Sequence, residues 1–453
     1  MKKLFGTDGI RGIANKEPMT VDTALKLGKA AAIVFRRDQR RHRIVIGKDT
    51  RISGYMYETA LASGLCSMGV DVLLVGPLPT PGIAFITKSL RADAGIVLSA
   101  SHNPYEDNGI KFFSHDGYKL PNRIEKEIEN IVLNDKYEAP HVAPVEIGKA
   151  YRIDDATGRY IEYIKNSFPK GMQLEGIKVV IDCANGAAYK VAPTVMKELG
   201  ADVIVTHDEP NGLNINKECG STHPEKMAQK VKETGAHVGF AFDGDADRII
   251  MADSNGKIYD GDYILAMSAI FLHQKKQLKN NRIITTVMSN MGLDFALSKY
   301  NIEMIRTEVG DRFVLEKMIE HDAVLGGEQS GHIIFRDFTT TGDGIITAMQ
   351  ILRILKESGK DLKTYSDCIT KYPQYIKNIR VSKKIPFEKL PGVNKELEII
   401  NKKLKKDGRV LVRYSGTEPL IRIMVESRNE IDIDDFTFKL IENIQKEINN
   451  GGK

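Results

Sequence analysis

Cysteine is scarce in this chain: Cys66, Cys183, Cys219 and Cys368 are the only four among 453 residues. They lie far apart with no C-x-x-C pair, so their spacing supports neither a zinc knuckle nor a disulfide framework, and reduced thiols are expected. An excess of one charge is also missing. The 65 Lys and Arg against 60 Asp and Glu leave +5, too little at this length to imply a polyanionic partner. No stretch reaches the roughly 18 uncharged apolar residues of a membrane span. The opening residues place Gly6 and Asp8 where a signal peptide would continue its apolar core, so a cytoplasmic protein is expected. Two basic runs, Arg36 to Arg43 and Lys275 to Arg282, lack interleaved aromatics for base stacking. Each precedes an apolar strand and reads as a solvated connection, and nucleic acid is not implied.

What is present is globular: 42% hydrophobic and 28% charged residues, over a length suited to about three domains of ~150 residues. One pattern recurs three times, namely an apolar β-rich run, a polar loop, a helix-like segment and a second apolar run. The copies start at Ile44, Val179 and Ile283. Short apolar strands alternating with helical patterns argue βαβ units in a largely parallel, buried sheet. From about residue 369 the order changes to strand, helix, strand, strand, helix. Val393, Leu397, Ile400 and Leu404 form one apolar helix face there. The expected architecture is three related α/β domains with mixed, largely parallel sheets plus a C-terminal α+β domain. Boundaries are read at 1–152, 153–254, 255–368 and 369–453.

Four loops carry candidate chemistry. Asp243, Asp245 and Asp247 alternate in FDGDADR between two apolar runs. On an extended segment, alternate carboxylates point the same way and can converge on a hard divalent cation. An EF-hand is excluded, because Arg248 stands where its loop needs glycine and Ser254 where it needs a bidentate Glu. Ser101 in LSASHNP follows the apolar run AGIVL, at the strand edge where ligands bind in open α/β sheets. No G-x-S-x-G elbow surrounds it, and on residue chemistry alone it reads as a Ser-rich turn; a phosphate there would complete a cation's coordination. Lys111 and Arg11, in DNGIK and GTDGIRG, read alone as surface charges; as cations they are also suited to stabilise a transferring phosphoryl group or move a proton. On residue chemistry alone GGEQSGH reads as a glycine-rich turn; Glu328 and Ser330, alternating on one side of it, are of a kind to bind vicinal sugar hydroxyls. Arg413, Ser415, Gly416 and Thr417 in RYSGTEP, with Arg422 beyond them, make a cradle for a phosphate dianion.

The order SASHNP, DGDADR, GGEQSGH, RYSGTEP resembles the four-loop pattern of the α-D-phosphohexomutase superfamily across essentially the whole chain. Within it, KLFGTDGIRG, NGLNINKECGSTHPE and Gln329 look like the phosphoglucosamine mutase branch. The resemblance implies a phosphorylated Ser101 and one Mg²⁺ bound by Ser101, Asp243, Asp245 and Asp247. It also implies sugar hydroxyls on Glu328 and Ser330, the non-reacting phosphate on Arg413, Ser415, Gly416 and Thr417, and Arg11, Lys111 and Arg248 lining the reaction centre. The reaction implied interconverts glucosamine 6-phosphate and glucosamine 1-phosphate through glucosamine 1,6-bisphosphate, for amino-sugar nucleotide and cell-wall precursor synthesis. The implied partner is a small phosphosugar, with no membrane, and a homodimer is the assembly allowed for. Phosphomannomutase, phosphoglucomutase and a metal-dependent sugar phosphatase are the alternatives. Some relatives carry a histidine where this chain has Gly310-Asp311-Arg312, so the acid and base stay open among Lys111, Arg11 and a relay through His332.

Overall fold

The computed structural model describes residues 4–6, 8–38, 40–137, 142–414, 420–428 and 431–450, with the backbone alone at 366, 431–435, 449 and 450. The chain forms two compact units. One comprises Met1–Met288 with Tyr300–Cys368, the other Ser289–Lys299 with Ile369–Lys453. Among the described residues, no helix is long and apolar enough to cross a membrane.

The first unit holds three sheets. In the first, β1 (Ile10–Ile13), β2 (Arg43–Lys48), β3 (Asp71–Pro77), β4 (Ala94–Leu98), β5 (Asp107–Ser114) and β6 (Ala150–Arg152) lie in the order β1-β5-β4-β2-β3-β6. The second contains β7 (Lys178–Asp182), β8 (Asp202–Thr206), β9 (Val238–Phe242), β10 (Ile249–Asp253) and β11 (Ile258–Tyr259), ordered β11-β10-β9-β7-β8. The third is β13-β12-β14-β15, from β12 (Arg282–Thr286), β13 (Glu303–Thr307), β14 (Leu325–Gly327) and β15 (Ile333–Phe335).

The three share one plan. In each, the first strand of the copy (β2, β7, β12) lies between its second (β3, β8, β13) and third (β4, β9, β14), both parallel to it. A fourth strand (β5, β10, β15) then pairs antiparallel with the third. The turn joining third to fourth strand bears Ser101 in the first copy, the aspartate triplet in the second and Glu328 in the third. The strands β4, β9 and β10 are buried at every residue, and apart from Asp253 at the end of β10 they carry no charged side chain, as strands covered on both faces require.

Helix packing in the first copy depends on two glycines. Helices Val21–Phe35 and Ile52–Ser67 meet at Gly28 and Gly64, where an added Cβ would lie 2.5 Å from Leu61 O and 2.4 Å from Leu25 O. Only a residue without a side chain permits that approach.

In the second unit, β16 (Gln374–Arg380), β17 (Gly408–Tyr414) and β18 (Leu420–Ser427) form an antiparallel sheet ordered β16-β18-β17. Val393, Ile400 and Leu404 of the helix Pro391–Leu404 are buried in its core, and Leu397 packs partly buried beside them, as the helical spacing predicts. The helix Met291–Ser298 belongs to this unit, although in sequence it lies inside the third copy. Its start is fastened by Met291 N donating to Glu426 Oε1 (2.6 Å) and by Asn290 Nδ2 donating to Tyr372 O (3.0 Å).

Candidate active site

Ser101 stands just past β4 with φ at +54°, a left-handed conformation that a serine adopts only where its surroundings enforce it. Those surroundings are visible. Ser101 N donates to Ser99 Oγ (2.8 Å). Its carbonyl accepts from Arg51 Nη2 (2.9 Å) and Asn216 Nδ2 (2.8 Å), and the same two groups donate to Asn103 O at 2.8 and 2.9 Å. Arg51 is wholly buried; its Nε donates to Asp49 Oδ2 (2.8 Å) and its Nη1 reaches Pro104 O and Asp107 O. One guanidinium thus ties down four carbonyls of the serine loop. Neither Arg51 nor Asn216 stands out in the sequence as a site residue. Arg51 has a readable signal, since KDTR follows the apolar run of β2 at the same strand edge as Ser101; Asn216 has none of its own beyond lying in the branch-like stretch NGLNINKECGSTHPE.

Asp243, Asp245 and Asp247 are buried, and one carboxylate oxygen of each lies within 4.8 Å of the other two. Their alternation in sequence predicts an extended segment. They lie instead in the tight turn between β9 and β10, with Ala246 N donating to Asp243 O (3.0 Å) and Ala246 at φ +55°, so the turn rather than strand alternation brings them together. Gly244 lets this turn press on the serine loop: a Cβ there would be 2.6 Å from Ser101 O. Ser101 Oγ donates to Asp243 Oδ2 at 2.6 Å.

The three carboxylates differ electrostatically. Burial, then Asp247 and Asp245, push Asp243 well above the usual range, and burial with Asp245 raises Asp247. Burial works to raise Asp245 as well, but Lys111, the Thr80 hydroxyl and Arg11 hold it low. Thr80 Oγ1 and Lys111 Nζ stand 2.6 and 3.0 Å from its Oδ2. Asp245 Oδ1 and Asp247 Oδ1 are buried without a hydrogen bond from any described residue. A buried all-oxygen set with open lone pairs and mutual repulsion fits a hard divalent cation such as Mg²⁺.

Cations face this cluster. Lys111 on β5 is buried; burial opposes its charge, yet Asp245, Asp8 and Asp247 keep it firmly protonated. Arg11 on β1 pairs with Asp8, and the Nε atoms of Arg11 and Arg248 make no hydrogen bond among the described residues. His102 Nδ1 is 3.2 Å from Ser101 Oγ, and burial with Arg248 and Arg11 pushes its imidazole down to about 3, leaving it neutral.

The turn of the third sheet completes the cleft. Glu328 is half-buried, accepts from Gly310 N (3.2 Å), and is raised by burial, while Ser330 is exposed. His332 is buried, with Nε2 3.5 Å from Asp311 Oδ2 and 4.0 Å from Asp247 Oδ2. Asp311 pairs with Lys119, which pairs in turn with Asp8. Arg312 holds Glu125 through two bonds of 2.6 and 3.0 Å and also donates to Asn122. Gly310-Asp311-Arg312 therefore fastens the third sheet's loop to the first copy, a role the sequence does not reveal.

In the second unit Arg413 and Arg422 face each other across β17 and β18, which puts both on one side of that sheet. Ser415, Gly416 and Thr417 lie outside the described residues.

Comparison with known proteins gives four matches in chain order. The phosphoglucomutase/phosphomannomutase alpha/beta/alpha domain I matches residues 2–139, domain II residues 158–256, domain III residues 260–372 and the C-terminal domain residues 376–437. A phosphoglucosamine mutase of Syntrophotalea carbinolica is 54% identical over 448 residues, 99% of this chain and 98% of that one. One of Geobacter metallireducens is 54% identical over 453 residues, 100% of both. A solved phosphoglucomutase/phosphomannomutase family protein from Burkholderia thailandensis has TM-score 0.81 and 25% identity, covering 98% of this chain and 97% of its own. Aspergillus fumigatus N-acetylphosphoglucosamine mutase, solved with GlcNAc-6P and magnesium, has TM-score 0.68 at 16% identity, covering 99% of this chain and 96% of its own, and shares the fold.

Proposed function

This chain belongs to the phosphoglucomutase/phosphomannomutase family, on its phosphoglucosamine mutase branch, and from that premise we propose that it interconverts glucosamine 6-phosphate and glucosamine 1-phosphate by way of a phosphorylated Ser101. The observation that carries this reading is the placement of Ser101 Oγ 2.6 Å from Asp243 in a loop clamped by Arg51 and Asn216 and faced by Lys111 and Arg11. Ser101 sits in no G-x-S-x-G elbow, and its neighbour His102, held down at about 3, is too weak a base to activate it for hydrolysis. Held beside a cation site and two basic side chains, it is suited to carry a phosphoryl group.

In the first half-reaction the bond from Ser101 Oγ to phosphorus breaks and one from the sugar O1 to phosphorus forms, making the 1,6-bisphosphate. The O1 proton passes to a relay through His332 beside Asp311, since Lys111 and Arg11 already carry their protons. After the bisphosphate reorients, its 6-phosphate returns to Ser101 and glucosamine 1-phosphate leaves, so no phosphate is consumed. Asp243, Asp245, Asp247 and Ser101 would hold Mg²⁺, which when bound supplies positive charge to the phosphoryl oxygens. Lys111, fixed as a cation, and Arg11 and Arg248, whose Nε groups make no hydrogen bond among the described residues, stabilise the spread charge of a loose transition state. Glu328 and Ser330 orient the sugar by its hydroxyls. Arg413, Ser415, Gly416, Thr417 and Arg422 receive the phosphate that is not reacting, in either sugar orientation. The reading includes a cytoplasmic setting, in which the product serves amino-sugar nucleotide and cell-wall precursor synthesis.

The test is incubation with Mg²⁺, a trace of glucosamine 1,6-bisphosphate and glucosamine 6-phosphate, followed by phosphorus NMR beside glucose and mannose 6-phosphate. Glucosamine 1-phosphate without free phosphate is expected. Faster formation of glucose or mannose 1-phosphate would move the assignment to another branch, and stoichiometric free phosphate would make it a phosphatase.

A further inference from the structure

A second group of ligating side chains stands in the second sheet, apart from the aspartate turn. Asp182 ends β7, His207 follows β8, and Cys219 precedes the short turn at Gly220. A carboxylate oxygen, a ring nitrogen and the Sγ of these three lie within 4.8 Å of one another. Asp182 and Cys219 are fully buried, while the His207 side chain is 27% exposed and gives the cluster a path to solvent.

The internal geometry is compact. His207 Nδ1 is buried and at ion-pair distance, 3.1 Å, from Asp182 Oδ2, which raises the imidazole above its ordinary value, although the angle falls short of an aligned hydrogen bond. Two polar atoms that close, not aimed at each other, are suited to share a third point. In a tetrahedral shell with bonds near 2.1 Å, neighbouring ligand atoms stand about 3.4 Å apart. Asp182 is oriented from outside, as metal-bound carboxylates are: Oδ1 accepts from Ala184 N (2.9 Å) and Oδ2 from Gly220 N (3.0 Å). His207 takes φ +50°, in the left-handed region that non-glycine residues seldom occupy.

We propose that Asp182, His207 and Cys219 form a second cation site, selective for a borderline transition metal of the Zn²⁺ class, with the fourth position open to water. Donor chemistry separates it from the aspartate turn. Three oxygens suit Mg²⁺, whereas one oxygen, one nitrogen and one sulfur suit Zn²⁺ or Co²⁺. Burial, with Asp182 second, holds the Cys219 thiol up at about 12, so it is protonated until a cation arrives. Coordination then releases the thiol proton and the Nδ1 proton of His207 to solvent. The site bears on the serine loop through the chain itself, since Cys219 lies three residues after Asn216, which donates to Ser101 O.

The test uses the full chain with Mg²⁺ in excess, so that the aspartate turn is supplied, titrated with Co²⁺. Absorption from thiolate-to-cobalt charge transfer and the visible bands of a tetrahedral ion are followed. One Co²⁺ per chain with a thiolate band, displaced by Zn²⁺, is expected. Cys219→Ser should abolish the band, His207→Gln should weaken Co²⁺ binding at least tenfold, and Asp243→Asn should leave the band in place. Circular dichroism checks that each variant folds; if Cys219→Ser does not, the His207→Gln titration and the cadmium NMR shift of the unaltered chain carry the test. Absence of a thiolate band in the unaltered chain, or its survival in folded Cys219→Ser, would overturn the proposal.

Discussion

Ser101 Oγ and Asp243 Oδ2 are 142 positions apart in the chain and 2.6 Å apart in space. The contact joins the third-to-fourth-strand turns of two copies of one sheet plan, so duplication supplied both halves of the proposed reaction centre. In the proposed reaction, replacing Ser101 by Ala removes the atom that carries the phosphoryl group. Turnover should fall by about a thousandfold or more, while the far-ultraviolet circular dichroism stays unchanged. Intact-mass measurement should at the same time lose any phosphate adduct. An active Ser101→Ala enzyme would contradict the assignment directly.

Arg51 is a buried cation with a buried partner, Asp49, and four carbonyl acceptors. Arg51→Met strands the carboxylate and the carbonyls together, and about 3–5 kcal/mol of unfolding free energy should be lost in urea titration. Asn216→Ala leaves those carbonyls with Arg51 and should cost only about 1–2 kcal/mol. Equal losses in the two variants would show that Arg51 is not the principal fastening of the serine loop.

Two helical glycines should respond oppositely to alanine. At Gly28 the new methyl meets Leu61 O at 2.5 Å, so Gly28→Ala should destabilise the fold by roughly 1–3 kcal/mol through separation of the two helices. Gly158, in the helix Ala156–Lys165, has nothing within 4 Å of an added methyl, and Gly158→Ala should stabilise by roughly 0.5–1 kcal/mol. Thermal melts of the pair decide it.

Asp343 caps the helix Gly344–Ser358, accepting from Ile345 N and Ile346 N, and takes the Tyr160 hydroxyl at 2.6 Å. Burial raises its carboxyl to about 6, above an unfolded aspartate near 3.9. The folded state therefore binds the proton more tightly. This group's contribution should be greatest below about pH 4 and should decline as pH rises to about 6, by an amount on the order of 2–3 kcal/mol. Asp343→Asn keeps a capping oxygen and cannot ionise. Its stability relative to the unaltered chain should rise across that interval, as read from urea midpoints at pH 4, 5, 6 and 7.

Much of the fold and of the site was legible from local chemistry. Apolar runs of five or six residues alternating with helical segments identify buried parallel strands, and the thrice-repeated order identifies the duplication. The aspartate triplet stood out by its chemistry, since three close carboxylates repel each other unless a cation offsets them, whereas Ser101 and Glu328 read alone as turn residues and stood out through the four-loop resemblance. The helix face of Val393, Leu397, Ile400 and Leu404 followed from spacing alone, since a 3.6-residue period is a property of the local backbone.

Other features depend on residues that meet only after the chain has folded. Asn216 carries no local mark, and its importance lies in two carbonyls more than a hundred positions away. Arg312 reads as a surface charge until Glu125 appears beside it. Met291–Ser298 follows the third copy's pattern but packs with the C-terminal unit, because burial of an apolar face is satisfied by whichever surface is nearest in space. Asp182, His207 and Cys219 show no ligand spacing along the chain and converge only in three dimensions. Sequence determined the strand-and-helix order, the duplication and the chemistry at each strand end, all set by short-range periodicity and polarity. Tertiary structure alone decided the partners, the ion-pair network and each group's electrostatic state, since these depend on distances between residues remote in the chain.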